Sequence, residues 1–246
     1  KTLYYDGTVE DITQTLLIEK QLEGARKLET MGMITNGVAH EVRNPLNAIG
    51  ILSAVLEKKQ GEDPDMRQCV AHIKEQVERL SALMSDLLLL GRPVDPKQFA
   101  ACEVESLVRE AVAHIEAGDC AAKGRIVVEA SGGPFIVSGI SGKLVQVIIN
   151  LLSNALSFSP EGEGVRIALE PEGECIRVTI TDRGPGIPET LLPKLFQPFQ
   201  SQRKGGTGLG LAIVQKILAD HGGTVSAVNN DHGPGACFTV RLPMVQ

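Results

Sequence analysis

The chain has 246 residues, 43% of them hydrophobic, with a formal net charge of −6. That length holds one large domain or two modest ones, and no apolar run approaches the roughly 18–20 residues needed to cross a bilayer. An acidic balance with two Tyr and no Trp argues against nucleic-acid binding, which normally shows a basic patch and aromatic stacking residues.

This piece therefore carries no expected membrane segment and reads as cytoplasmic. The chain opens on Lys1 and not on Met, so a longer parent is expected, for which a membrane anchor stays open. Five cysteines, Cys69, Cys102, Cys120, Cys175 and Cys237, are scattered without a C-x-x-C pair. They read as reduced thiols, mostly buried as small apolar residues.

Residues 1–14 read as a strand, a turn at Asp6-Gly7 and a second short strand. From about Leu16 the pattern turns helical, with few breakers until Gly61. Met31, Thr35, Val38, Val42, Pro45, Ile49, Leu52 and Leu56 alternate spacings of four and three, a heptad seam. His40, Arg43, Asn44 and Asn47 share the opposite, polar ridge. Pro45 must remove a backbone hydrogen bond and bend the axis just after this His. Gly61-Glu62-Asp63-Pro64 breaks the helix. A second amphipathic helix follows, marked by Val70, Ile73, Val77, Leu80, Met84 and Leu87, and stops at Gly91-Arg92-Pro93. A hairpin of two such helices leaves apolar stripes uncovered. Pairing two copies into a four-helix bundle buries them; packing on the C-terminal half is the alternative.

After Pro96 the texture becomes mixed. A helix is expected over 103–117, a β-rich run from Arg125 to Ala130 and a helix over 141–158. Val165–Leu169 and Ile176–Thr181 read as strands joined by the turn Glu170-Pro171-Glu172-Gly173. A last helix begins at Gly208, and Thr224–Val228 and Cys237–Leu242 are closing strands. Helices grouped on one face of a largely antiparallel sheet make a two-layer α/β sandwich. The fold class is thus a dimerising helical hairpin followed by an α/β sandwich.

Several motifs bear on chemistry. His40-Glu41 sets an imidazole beside a carboxylate. Asn150 and Asn154 lie one turn apart on the polar edge of an apolar helix, where amide oxygens suit a hydrated hard cation. Asp182-Arg183-Gly184-Pro185-Gly186 follows a strand; its Asp can accept a hydrogen bond from an exocyclic amine, and its glycines admit a flat base to the backbone. Gly205-Gly206-Thr207-Gly208-Leu209-Gly210 leads into a helix, whose unpaired N–H groups and positive dipole end suit a phosphate chain. Neither a P-loop nor a Rossmann fingerprint matches.

Together these motifs resemble the core of a sensor histidine kinase of two-component systems. His40 to Leu46 resembles the H box, Asn150 to Ala155 the N box and Asp182 to Gly186 the first glycine box. Phe196-Gln197-Pro198-Phe199 resembles the F box and Gly206 to Gly210 the second glycine box, all in family order. The resemblance implies a dimerisation and histidine-phosphotransfer domain over 21–95 and an ATP-binding domain of the Bergerat (GHKL) fold over 96–246. It implies that His40 accepts the γ-phosphoryl group of ATP while Glu41 takes or holds a ring proton. Asn154 would bind Mg²⁺ with Asn150 in support, and Asp182 would read the adenine amine. Phe158, Gly184, Gly186, Gly206, Thr207, Gly208, Leu209 and Gly210 would line the nucleotide. The stretch between Phe199 and Gly208 would be the ATP lid, with Arg203 and Lys204 neutralising phosphate charge. The implied partners are a second copy of the chain and a response regulator receiver domain, toward which Asn44 would support phosphatase activity.

One departure stands out. Family members often carry a basic residue and then an aromatic shortly after the second N-box Asn; here these are Ser157 and Phe158. The missing charge must come from Arg203, Lys204 or Lys143. Related ATPases of the gyrase, Hsp90 and MutL type use a Glu one turn before the magnesium Asn to activate water. This chain has Asn150 there, an amide that cannot act as a base, which disfavours a hydrolase; intact Asn154, Asp182 and glycine boxes disfavour a non-catalytic scaffold. The opening Gly7-Thr8-Val9-Glu10-Asp11-Ile12-Thr13 resembles the end of a PAS sensor domain, with residues 1–20 leading into a signalling helix.

Overall fold

The computed structural model describes residues 46–47, 49–54, 56, 64–91, 94–200, 207–231 and 233–245. The expected opening strands, the H box up to Pro45, and lid residues 201–206 lie outside them. The chain divides into two units between Arg92 and Pro93.

In the first unit, the described residues between 46 and 56 are helical, and α1 runs Pro64–Gly91. Proline at a first helical position costs nothing, since its missing N–H would be unpaired there. Two stripes of α1 differ in fate. Val70 and Met84 are buried, and Val77 reaches toward Gly50 of the preceding helix. Met66, Ile73 and Leu80, each seven apart, remain 41–49% exposed, and Ile49, Leu52 and Leu56 are exposed as well. The hairpin therefore closes through Leu46, Ser53 and the Val70 stripe, and leaves the heptad seam open in a single chain. Asn47, on the polar ridge, is exposed.

The second unit is built on a five-stranded sheet in the order β2-β4-β5-β7-β6. These strands are β2 Ile126–Ala130, β4 Val165–Glu172, β5 Cys175–Thr181, β6 Thr224–Asn229 and β7 Ala236–Pro243. Only β2 with β4 is parallel. Strict alternation puts Val165, Ile167 and Leu169 of β4, Ile176, Val178 and Ile180 of β5, and Phe238, Val240 and Leu242 of β7 in the core. Three helices supply the rest of it: α2 Val104–Gly118, α3 Ser141–Phe158 and α4 Gly210–Asp220. The central helix α3 buries Val147, Ile148, Leu151, Leu152 and Ala155, and packs on α2, α4 and the middle strands.

Four differences from the sequence reading have physical causes. A small antiparallel sheet, β1 Ala100–Glu103 with β3 Ile136–Gly139, was not expected. Its first strand, Ala-Ala-Cys-Glu, has little intrinsic β preference and abuts a helix. Strand β4 runs past Leu169 to Glu172, and the turn falls at Gly173-Glu174. Beyond Leu169 β2 no longer pairs with β4, so Pro171 sits on an open edge and costs no ladder bond. The last helix begins at Gly210 and not Gly208, because Gly208 has φ +68°, a left-handed conformation that an α-helix excludes. All five cysteines are free thiols, but only Cys102 is buried; Cys69 and Cys120 are exposed.

Candidate nucleotide-binding site

One face of α3 organises the site. Asn150, Asn154 and Phe158 are spaced four apart, so they line up along the helix, and all three are half-buried. At the Asn150 end, its Nδ2 donates to the Gly210 carbonyl at 3.3 Å, which ties α3 to the start of α4. At the other end, Gly184 lies against the Phe158 carbonyl, and the Arg183 N–H donates to Ser159 Oγ at 3.4 Å. Asn154, between them, has no hydrogen-bond partner among the described residues, and its amide oxygen is a hard donor of the kind Mg²⁺ selects.

Asp182 is 4% exposed. Its Oδ1 accepts from the Gly184 N–H at 2.8 Å and from the Ala236 N–H at 3.1 Å. Both backbone donors use one oxygen, so Oδ2 has no partner among the described residues. A buried carboxylate with one committed and one spare oxygen is equipped to recognise a single amine.

The second glycine box meets the end of the F box. The Phe199 N–H donates to the Gly208 carbonyl at 2.9 Å, so the ends of the segment joining them stand side by side. A Cβ on Gly208 would come within 2.7 Å of the Phe199 carbonyl carbon, so glycine is required by contact as well as by φ. Phe199 itself has φ +64°, a strained choice for an aromatic residue. Just beyond, the Leu209 N–H donates to Thr207 Oγ1 at 3.4 Å, and Leu209 is fully buried. Among the described residues no side chain caps α4, which leaves its first-turn N–H groups available to an anion.

The expected residues thus divide clearly. Asn150, Asn154, Phe158, Asp182, Gly184, Gly186, Thr207, Gly208, Leu209 and Gly210 belong to one compact unit. Arg203, Lys204 and Gly206, like His40, Glu41 and Asn44, lie outside the described residues. Lys143, the other candidate for phosphate charge, lies on the same helix seven residues before Asn150 and eleven before Asn154. Two residues were missed, Asn229 and Asn230. Asn229 exchanges two hydrogen bonds with the Ile187 backbone, and Asn230 donates to the Asp182 carbonyl at 3.0 Å. In sequence they look like ordinary turn residues before Gly-Pro-Gly, with no local sign of a distant partner.

Comparison with known proteins agrees with this geometry. Residues 139–246 match the family of histidine kinase-, DNA gyrase B- and HSP90-like ATPases, and residues 30–95 match the His kinase A (phospho-acceptor) domain. Sensor-like histidine kinase SenX3 of Mycolicibacterium smegmatis is 33% identical, over 92% of this chain and 61% of its own length. Sporulation kinase C of Bacillus subtilis is 29% identical, over 98% and 60% respectively. The chain thus spans about 60% of the length of these two relatives. Among solved structures, full-length ShkA in complex with AMPPNP superposes with a TM-score of 0.75 at 26% identity, covering 87% of this chain and 46% of that one. Histidine kinase ThkA in complex with response regulator TrrA gives 0.64 at 26%, covering 97% and 69%. The catalytic domain of ThkA gives 0.54 at 31% identity over 59% of this chain and 95% of that domain. With the phospho-acceptor domain and the ATPase domain in one polypeptide, the chain belongs to the histidine kinases.

Proposed function

We propose that this chain binds ATP with Mg²⁺ in the groove beside α3, phosphorylates its own His40 and passes the phosphoryl group to an aspartate of a response regulator receiver domain. The observation that carries the nucleotide reading is Asp182, buried with one carboxylate oxygen committed and the other uncommitted. Asp182 accepts from the adenine amine, and the glycine boxes and Phe158 border the nucleotide. The uncapped start of α4 takes the phosphates, Arg203 and Lys204 neutralise their charge, and Asn154 with Asn150 behind it holds the metal. Mg²⁺, when bound, supplies charge compensation to the phosphate oxygens. A ring nitrogen of His40 attacks the γ-phosphorus, the bond to the β,γ-bridging oxygen breaks, and ADP leaves while Glu41 takes the other ring proton. Such transfer is accelerated chiefly by positioning and charge stabilisation.

The complexes of ShkA with AMPPNP and of ThkA with response regulator TrrA support the nucleotide and the receiver-domain partner. The open stripe of Ile73 and Leu80 supports a homodimer through residues 21–92, so light scattering should give twice the monomer mass. The proposed division is a PAS-like end and linker over 1–20, the phosphotransfer domain over 21–95 and the catalytic domain over 96–246, within a cytoplasmic portion of the parent. Among the described residues no helix is long and apolar enough to cross a membrane. Asn44 orients water toward a docked aspartyl phosphate, so Asn44→Ala should slow dephosphorylation of the regulator while sparing His40 labelling, and Glu41→Ala the reverse.

Asp182→Asn tests the nucleotide site. The Asn oxygen can keep both backbone donors, but its NH₂ then faces the adenine amine, donor against donor. ATP affinity should fall by about 1–3 kcal/mol with little change in melting temperature; unchanged affinity in a calorimetric titration would refute the reading.

A further inference from the structure

We infer that Asn229 and Asn230 are positioning residues of the base-binding loop, which hold Asp182 and Gly186 where an adenine ring needs them. The inference rests on the ATP reading above. The loop that leaves β5 at Asp182 runs through Gly186 and Ile187 without any strand to pair with, because β7 stands between β5 and β6. Asn229, the last residue of β6, supplies the missing pairing. Its Nδ2 donates to the Ile187 carbonyl at 2.9 Å and its Oδ1 accepts from the Ile187 N–H at 2.6 Å. One carboxamide thereby satisfies both backbone groups of one residue, as a neighbouring strand would.

The next residue completes the grip. Asn230 Nδ2 donates to the Asp182 carbonyl at 3.0 Å and to the Pro234 carbonyl at 3.1 Å. The register pairs Asn229 with Ala236, the residue whose N–H donates to Asp182 Oδ1. Both ends of the Asp182–Ile187 loop are therefore fixed to the same corner of the sheet. Gly186, next to Ile187, has φ +81°, and a Cβ on it would lie 2.9 Å from Asn229 Oδ1. The glycine thus admits the amide on one side while leaving the other open to a flat base.

The chemistry demands an amide. Only Asn or Gln presents one donor and one acceptor side by side, and Gln is one methylene too long for this contact. Asp is isosteric with Asn but would set a carboxylate oxygen against the Ile187 carbonyl. The bonds sit at the base end of the site, remote in sequence from His40 and from the phosphate-binding start of α4. Their loss should weaken nucleotide binding without changing the chemical step.

The test uses the full 246-residue chain, titrated with ATP and with adenosine, alongside the rate of His40 labelling against ATP concentration. Asn229→Asp should weaken ATP and adenosine by the same factor, about tenfold. The KM for ATP should rise by that factor, and the maximal rate should stay within about twofold. Asn229→Ala should lose less than Asn229→Asp, since truncation removes the bonds without adding repulsion; it also carries the comparison alone if the Asp variant does not fold. Unaltered adenosine binding in both variants, or a reduced maximal rate at unchanged KM, overturns the assignment. A wild-type chain that binds no nucleotide defeats the ATP reading and this inference together. Wild-type binding with unaffected variants defeats this inference alone.

Discussion

At the scale of single residues, the outer face of the sheet carries a charge arrangement that the register forces. Arg177 and Arg241 are direct cross-strand partners, and like charges at that spacing repel. Glu172 resolves the conflict by accepting from Arg241 Nε at 2.6 Å and from Arg177 Nη1 at 3.3 Å, and Glu170 accepts from Arg177 Nη2 at 2.6 Å. The hydrogen bond from Arg241 holds the Glu172 carboxyl below its ordinary value of 4.5. A depressed folded-state value means that the network stabilises the fold fully above the unfolded value. That contribution is lost as pH falls through the folded one. Urea melts of wild type and Glu172→Gln should therefore differ at pH 7 and converge once the pH falls below the depressed carboxyl value; a constant gap would show that this carboxylate is not the titrating group. Asp182 was legible from sequence because an Asp at a strand end before Gly-x-Gly is a local pattern. Asn229 was not, because its partner is forty-two residues away and nothing near it in sequence announces the meeting.

At the scale of elements, α4 is tied to α3 at both of its ends. Asn150 holds the start of α4. At the opposite end His221, 5% exposed, closes the pair. Its Nε2 accepts from the Ile140 N–H at 3.0 Å, so its Nδ1 carries the proton and donates to the Ile217 carbonyl at 2.7 Å. The ring rests on Phe99 with centroids 4.9 Å apart. His221→Ala leaves the half-buried Ile140 N–H without its acceptor and opens a cavity, so it should cost about 2–4 kcal/mol in chemical denaturation. His221→Gln, which retains an acceptor, should recover part of that; equal losses would mean that volume alone matters. The extent of α3 was readable because its apolar positions keep helical spacing from Leu144 to Ala155. The β1–β3 ribbon was not, since its short strands owe their form to each other and to tertiary placement. Helix α4 was placed two residues early because glycine φ values leave no trace in composition.

At the scale of the whole molecule, the proposed reaction divides its labour between the two units, an acceptor in one and a nucleotide site in the other. The first unit leaves its heptad stripe exposed on α1, which a second copy covers in the proposed dimer. The second keeps its donors on α3, α4 and the Asp182 loop within one packed body. In the proposed reaction phosphate moves from ATP to His40. The most direct measurement is mass spectrometry of the full chain after incubation with ATP and Mg²⁺, under alkaline conditions that preserve phosphohistidine. One acid-labile phosphate is expected on His40, absent from His40→Gln although that variant still binds ATP. Phosphate on His72, His114, His221 or His232 instead, or undiminished labelling of His40→Gln, would contradict it.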